Sequence, residues 1–368
     1  MMELNIYVFD TSLTLLGVVD SATGLTWEEK YTQAGNFELW CPLTDTNVAL
    51  LQEDNILWIG TESAGVIEFK ELNLDSEGSK TIHIQGRLAE VYLGYRTIYP
   101  TIIVTDNLSN VLRTYVRNNI TNPTDSARKI SFIELASDQE VIGSFISHQK
   151  TGDTVLSEMT NLCQANNTGF KLQFFPRDKK FVFQVYQGVD RSLDQSTNDP
   201  VFFSSDLDDI LESKYSHNKS EYRNFAYVAG EDKGTTRKVQ TVGDATGLSR
   251  KEVFVDARDL QSEKEDGTTI PEAQYNSMLV ERGKTKLEEY KDIETFSATL
   301  RTFGVTGYTY GVDFSLGDKV TVYDSALKIR ANAVVTSAMK TYDQDGERLD
   351  LTFGYEQPTI AEKLERRA

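Results

Sequence analysis

Thr81-Ile82-His83-Ile84-Gln85 sets two isoleucines on one side of an extended chain and three polar side chains on the other. That period of two is the mark of a half-buried antiparallel strand. The same rhythm recurs upstream in Leu4 to Phe9, Thr14 to Val19, Leu25 to Tyr31, Phe37 to Cys41, Ile56 to Ile59 and Val66 to Leu74. Ala34-Gly35-Asn36 and Ser76-Glu77-Gly78-Ser79 break these runs at spacings that suit a small barrel or sandwich, with one short helix near Thr46 to Leu51.

From about Pro100 the period changes. Leu108, Val111, Leu112, Tyr115 and Val116 recur at helical spacing after Asp106, an expected N-cap, and Val155, Leu156, Met159, Leu162 and Cys163 form the stripe of a second helix over Asp153 to Ala165. Gly169 to Phe175 and Lys180 to Tyr186 then read as a hairpin turning at Pro176-Arg177-Asp178. Strands return at Asn224 to Val228, Arg237 to Val242 and Val253 to Val255. Pro271 then opens a long helix to about Lys291, with Glu281/Lys284 and Glu288/Lys291 expected on a solvated face. The last strands are Glu294 to Thr302, Lys319 to Tyr323, Lys328 to Thr341 and Leu349 to Phe353, the final two joined by Gln344-Asp345-Gly346-Glu347, and Glu362 to Ala368 reads as a frayed tail. The expected fold is therefore α+β and β-rich, with two barrel-like antiparallel β domains and an α+β insert. Its parts are an N-terminal barrel-like domain over 1–104, the insert over 105–200, and a C-terminal barrel-like domain over 201–368 that carries a long helix near 271–291.

The 368 residues are 39% hydrophobic and 26% charged, inside the range of compact globular domains and outside that of disordered chains. No apolar run reaches the ~18 residues of a membrane helix, so the chain reads as soluble, made in the cytoplasm and without stable membrane insertion. The net charge of -18 disfavours duplex-binding and anionic-lipid roles. Acid is concentrated in two blocks: residues 1–100 carry 15 acidic and 5 basic side chains, and residues 201–300 carry 20 and 14.

Catalytic and metal signatures are missing. Gly283-Lys284-Thr285 ends like a phosphate-binding loop, but Met278 stands where the upstream glycine is required, and the tripeptide lies in an expected helix. His83, His148 and His217 have no HExxH or helical partner and read as structural or exposed; Cys41 and Cys163, 122 residues apart, read as buried free thiols. Asp206, Asp208, Asp209 and Glu212 lack the glycine and terminal glutamate of a calcium loop, and read as an acid-rich helix N-terminus. No catalytic, cofactor-binding or metal-binding residue is assigned, and no cofactor is expected.

Four segments carry a resemblance: Gly188-Val189-Asp190-Arg191 with Val201-Phe202-Phe203-Ser204, Asn224-Phe225-Ala226-Tyr227-Val228-Ala229-Gly230-Glu231, Val255-Asp256-Ala257-Arg258-Asp259, and Asp313-Phe314-Ser315-Leu316-Gly317-Asp318-Lys319-Val320 followed by Leu351-Thr352-Phe353-Gly354-Tyr355. Their succession resembles the siphophage tail proteins of the ReqiPepy type, a family of central tail-tip or baseplate hub proteins. The resemblance implies a phage tail hub-like fold, similar to the contractile-tail hub, and a homotrimer at the distal tail tip of the virion, closing or capping the tail tube and allowing DNA passage. It also implies contacts with the distal tail ring protein, the tape-measure protein and receptor-binding or baseplate proteins. DNA would pass transiently, without sequence-specific binding. Because the chain stops at Ala368, no lysin or fibre module is expected. Alternatives are a carbohydrate-binding or glycan-processing tail protein, which needs an exposed aromatic groove or a close carboxylate pair, and a component of a phage-tail-like injection device. The motifs also fit plain scaffolding, with glycines at strand-end turns and Asp/Arg pairs as structural ion pairs.

Overall fold

The computed structural model describes residues 4–74, 76, 78–137, 140–207, 210–232, 234–264, 267–300 and 307–354. The first segment holds β1 (Ile6–Phe9), β2 (Leu15–Val19), β3 (Gly24–Lys30), β4 (Asn36–Pro42), α1 (Asp45–Leu50), β5 (Ile56–Trp58), β6 (Ala64–Leu74) and β7 (Lys80–Leu88). The middle holds α2 (Val91–Gly94), β8 (Thr97–Asn107), α3 (Leu108–Val116), β9 (Ile133–Leu135), β10 (Phe145–Thr154), α4 (Val155–Asn166), β11 (Gly169–Phe175) and β12 (Lys180–Tyr186). The remainder holds β13 (Phe202–Ser204), β14 (Ile210–Asn218), β15 (Phe225–Ala229), β16 (Val239–Val242), β17 (Glu252–Asp256), α5 (Glu272–Glu289), β18 (Ile293–Leu300), β19 (Lys319–Asp324), β20 (Ile329–Asp343) and β21 (Gly346–Gly354). Most of this is antiparallel β structure.

Thirteen strands join one sheet, in the order β14-β18-β21-β20-β3-β4-β7-β6-β5-β1-β2, with β19 on β20 and β13 on β19. The two β-rich ends of the chain meet in it. β20 is 15 residues long; its first part pairs with β19, and its second part lies between β21 and β3, with Lys340 opposite Trp27 and Thr341 opposite Thr26. Among the described residues no strand pairing closes either end of this sheet into a barrel.

Alternation decides which side chains enter each core. Leu25, Trp27, Phe37, Leu39, Ile82 and Ile84 point into one cluster, while Phe203, Phe296, Val320, Val335, Leu351 and Phe353 fill another in the C-terminal half. In β1, β5 and β6 both faces are covered: Val8, Leu57 and Ile67 enter the first cluster, and their neighbours Phe9, Ile56 and Val66 enter a third. That third core is shared with the middle segment, whose α3 and α4 and whose β11/β12 hairpin supply Leu112, Met159, Phe170 and Phe183. The middle segment is therefore packed onto the back of the N-terminal strands.

α5 belongs to neither β-rich end. It covers the small sheet β16-β15-β17, where Val228, Val255, Tyr275 and Leu279 share a core that also receives Ile103 of β8. The helix stops at Glu289 rather than Lys291, and Pro271 is its N-cap rather than a first-turn residue. Glu281 is buried at 5% exposure, against the expected solvated face, because Gly283 and not Glu281 faces the small sheet, and the Glu281 side, shared with Gln274, which reaches Thr105 of β8, packs on the middle segment; its pairing with Lys284, at 3.5 Å, is retained. The N-cap of α3 is Asn107, one residue after Asp106, which accepts instead from the Asn107 amide and the Asn110 side chain. The residue-104 border expected from periodicity falls inside β8. The C-terminal tail, 362–368, lies outside the described residues.

Candidate functional site

The segments that carry the resemblance converge on two joints. At the first, the chain leaving β12 crosses the turn before β19. Val189 N donates to Asp318 Oδ1 at 2.8 Å, Arg191 Nε to Asp318 Oδ2 at 3.1 Å, and Lys319 Nζ to Asp190 Oδ2 at 3.2 Å. Backbone bonds run both ways, Arg191 N to Lys319 O at 2.7 Å and Lys319 N to Val189 O at 3.0 Å. The approach is so close that a Cβ on Gly188 would lie 1.9 Å from the Gly317 carbonyl carbon, and Gly317 itself sits at φ +90, so both positions require glycine. Fully buried Tyr31, at the end of β3, closes the joint by donating its hydroxyl to Asn167 O at 3.0 Å. Three remote parts of the chain are locked together there.

At the second joint Arg237 ties β15 to β17. Its guanidinium donates to Gly230 O at 2.6 Å and Ala229 O at 2.7 Å, and it pairs with Asp256, whose carboxyl is held at about 2, first by hydrogen bonds from Arg258 and then by Arg237. Arg282 of α5 grips Asp259 through two bonds of 2.9 and 2.8 Å, the fork geometry suited to a carboxylate.

Between α5 and the middle segment lies a network that the sequence gives no sign of. His148 Nε2 is 3.1 Å from Glu158 Oε1, Lys150 Nζ is 3.0 Å from Glu158 Oε2 and 2.6 Å from Asp153, and the Tyr115 hydroxyl is 2.6 Å from His148 Nδ1. Burial, the largest influence on Glu158, favours the neutral acid; the hydrogen bond and charge of His148 and the charge of Lys150 outweigh it and hold the carboxyl at about 2. An anionic Glu158 requires the proton on Nε2. The other ring nitrogen, Nδ1, faces the Tyr115 hydroxyl. With Glu158 ionised and Lys150 charged beside it, the cluster is compensated, and Tyr115, His148 and Glu158 are all buried.

The remaining sequence candidates stay apart. Asp206 lies in a 3-10 turn, Ser205–Leu207, accepting from Ser325 at 2.5 Å, and Glu212 is on β14, so a turn and a strand stand where an acid-rich helix N-terminus was expected. Asp208 and Asp209 lie outside the described residues. Among the described residues no group of His, Cys, Asp and Glu is arranged to hold a metal ion. Cys41 and Cys163 are buried free thiols, and burial pushes both up, Cys41 to about 11. His83 stacks on Trp40 and His217 pairs with Asp292 at 2.6 Å. Lys284 and Thr285 lie within α5, and the Thr285 hydroxyl is spent on Glu281 O.

This architecture is that of phage tail proteins. The tail protein from Neisseria meningitidis MC58 superposes with a TM-score of 0.56 at 14% identity, covering 96% of each chain. The 43 kDa tail protein of prophage MuSo2 from Shewanella oneidensis gives 0.55 at 11% identity, covering 95% of this chain and 98% of that one; prophage tail protein gp18 from Listeria monocytogenes EGD-e gives 0.54 at 10%, covering 99% and 98%. The chain belongs to the siphovirus ReqiPepy6 Gp37-like protein family, which it matches over residues 5–355. No curated protein matches the sequence.

Proposed function

We propose that this chain is a structural tail-tip or baseplate hub protein, three copies of which close or cap the tail tube of a phage or prophage particle and let DNA pass. The observation that supports this most directly is the β3–β20 pairing, which fuses two antiparallel bodies in one subunit. Three such subunits offer six comparable surfaces to a six-fold tail ring. In this proposal the sheet ends are two barrel-like units, residues 1–104 and 201–368, with 105–200 beside them. The neighbours are a distal tail ring protein, a tape-measure protein and receptor-binding or baseplate proteins. The joints built by Asp318, Arg237, Arg282 and Glu158 hold the subunit rigid and perform no reaction. Carboxylates facing the channel would repel the phosphate backbone within ~8 Å at physiological salt, so DNA slides without sticking.

Light scattering on the purified chain tests the assembly. A mass three times the 41.5 kDa of one chain is expected; a strict monomer at every concentration would remove the ring. Purified cell wall should show no turnover by this chain.

A further inference from the structure

A slot opens beside Trp40 on the outer face of the sheet. Trp40 stands on β4 between Gly24 of β3 and His83 of β7, its register partners on either side. His83 covers one face of the indole, ring centroids 4.9 Å apart and planes 7° from parallel. Its Nε2 is 3.1 Å from Glu38 Oε2, and the edge of Phe69 packs on it at 6.2 Å, so the wall is braced from behind. Among the described residues no ring stacks on the other face. A Cβ on Gly24 would touch Cε3 of the indole at 3.4 Å, and glycine supplies none.

Opposite Trp40, across the bare floor of β3, runs the end of β20. Two strand spacings, roughly 9.6 Å, separate the walls, which leaves room for one ring in contact with both. The groove measures about 510 Å³; Thr23, Thr81 and Thr341 set hydroxyls around it and Asp343 a carboxylate, with no Lys or Arg in the lining. Asp343 is already oriented, accepting from Asp345 N at 2.8 Å and from Arg348 at 2.9 Å. An aromatic wall suits the C–H face of a sugar, and hydroxyl and carboxylate rims suit its equatorial hydroxyls. The lack of a lining cation, in a chain of net charge -18, disfavours an anionic ligand.

We infer that this slot binds a neutral pyranose, stacked on the free face of Trp40 and hydrogen-bonded by Thr341 and Asp343. The inference goes beyond the hub proposal and stands whether the chain is monomeric or trimeric. It is tested on the full chain with the methyl glycosides of glucose, galactose, N-acetylglucosamine and rhamnose, and with adenosine and glucuronic acid as flat and anionic controls. Saturation-transfer NMR reads binding, and a ligand-dependent change in indole fluorescence reads the site, since neither Trp27 nor Trp58 lines the slot. At least one glycoside should bind, with an affinity indifferent to salt. Trp40→Ala should weaken it about tenfold or more. Gly24→Val fills the slot while leaving the wall in place, at a strand position outside the left-handed region, and should do the same even if Trp40→Ala fails to fold. Absence of transfer to every glycoside, tighter binding of adenosine or glucuronic acid, or glycoside binding that survives Gly24→Val would each overturn the assignment.

Discussion

Glu158 and Glu90 are both sealed from water and their chemistry runs in opposite directions. Glu158 is met by His148 and Lys150 and titrates near 2, whereas Glu90 accepts from the Leu172 amide at 3.0 Å through Oε1 and has no partner for Oε2 among the described residues. Burial pushes Glu90 up to about 7, aided by the charge of Glu29 and opposed by the Leu172 amide and Lys171. The consequences for stability follow by linkage. Glu158, depressed from 4.5, contributes stability that is present above 4.5 and lost as pH falls towards 2, about 3 kcal/mol in all. Glu158→Gln should cost about 3 to 5 kcal/mol at neutral pH and flatten that acid limb, read by urea unfolding across pH. Glu90, raised from 4.5, is most favourable below 4.5 and loses its contribution as pH rises through 7. Glu90→Gln should therefore stabilise by up to about 3 kcal/mol at about pH 8 and by nothing in acid; unchanged stability at both ends would refute the buried, half-satisfied carboxylate. Neither glutamate was legible in the sequence, because in a chain with 56 acids only the fold shows which ones water cannot reach.

Elements with one wet face were legible. The runs around Leu25, Phe37 and Ile82 became β3, β4 and β7, and Pro176-Arg177-Asp178 does turn the β11/β12 hairpin. Thr154 caps α4 by accepting from Ser157 N at 3.1 Å, one residue from the expected start. Legibility failed for β8 and β10, whose pairing partners lie across α3, and for the sides of α4. The stripe is not evenly buried: Met159 is at 0% exposure while Leu156 is only partly covered, lying over Gly94 of α2. Met159→Ala should accordingly cost about 2 to 5 kcal/mol, and Leu156→Ala below about 2 kcal/mol. Denaturant midpoints of the two variants decide it, since equal costs would mean that the helix presents a different face.

On the scale of the whole molecule, periodicity located two β-rich regions but could not say that they join. A period of two specifies which face is apolar and leaves the partner strand open, so nothing in Leu25 to Tyr31 points to Thr341 rather than to another edge. The family resemblance supplied the overall likeness, and the segments it rests on, Gly188 to Arg191 and Gly317 to Lys319, prove to touch. The pairing has a direct test. Residues 1–200 produced alone would leave the β3 edge without β20, a row of open amides and carbonyls. That fragment should associate or precipitate, by light scattering, and recover when residues 201–368 are supplied in trans; a well-behaved monomer would show the two ends to be independent.

The same pairing sets a clock on biosynthesis. Ser337 of β20 donates to Glu28 of β3 across 309 residues of chain. At ~5 to 20 residues per second on the ribosome, the first strands wait roughly 15 to 60 s for their neighbour to be translated. Throughout that interval nascent chains on one messenger carry identical open edges side by side. Slow translation or crowded polysomes would therefore penalise the yield of this protein more than a change in its final stability would.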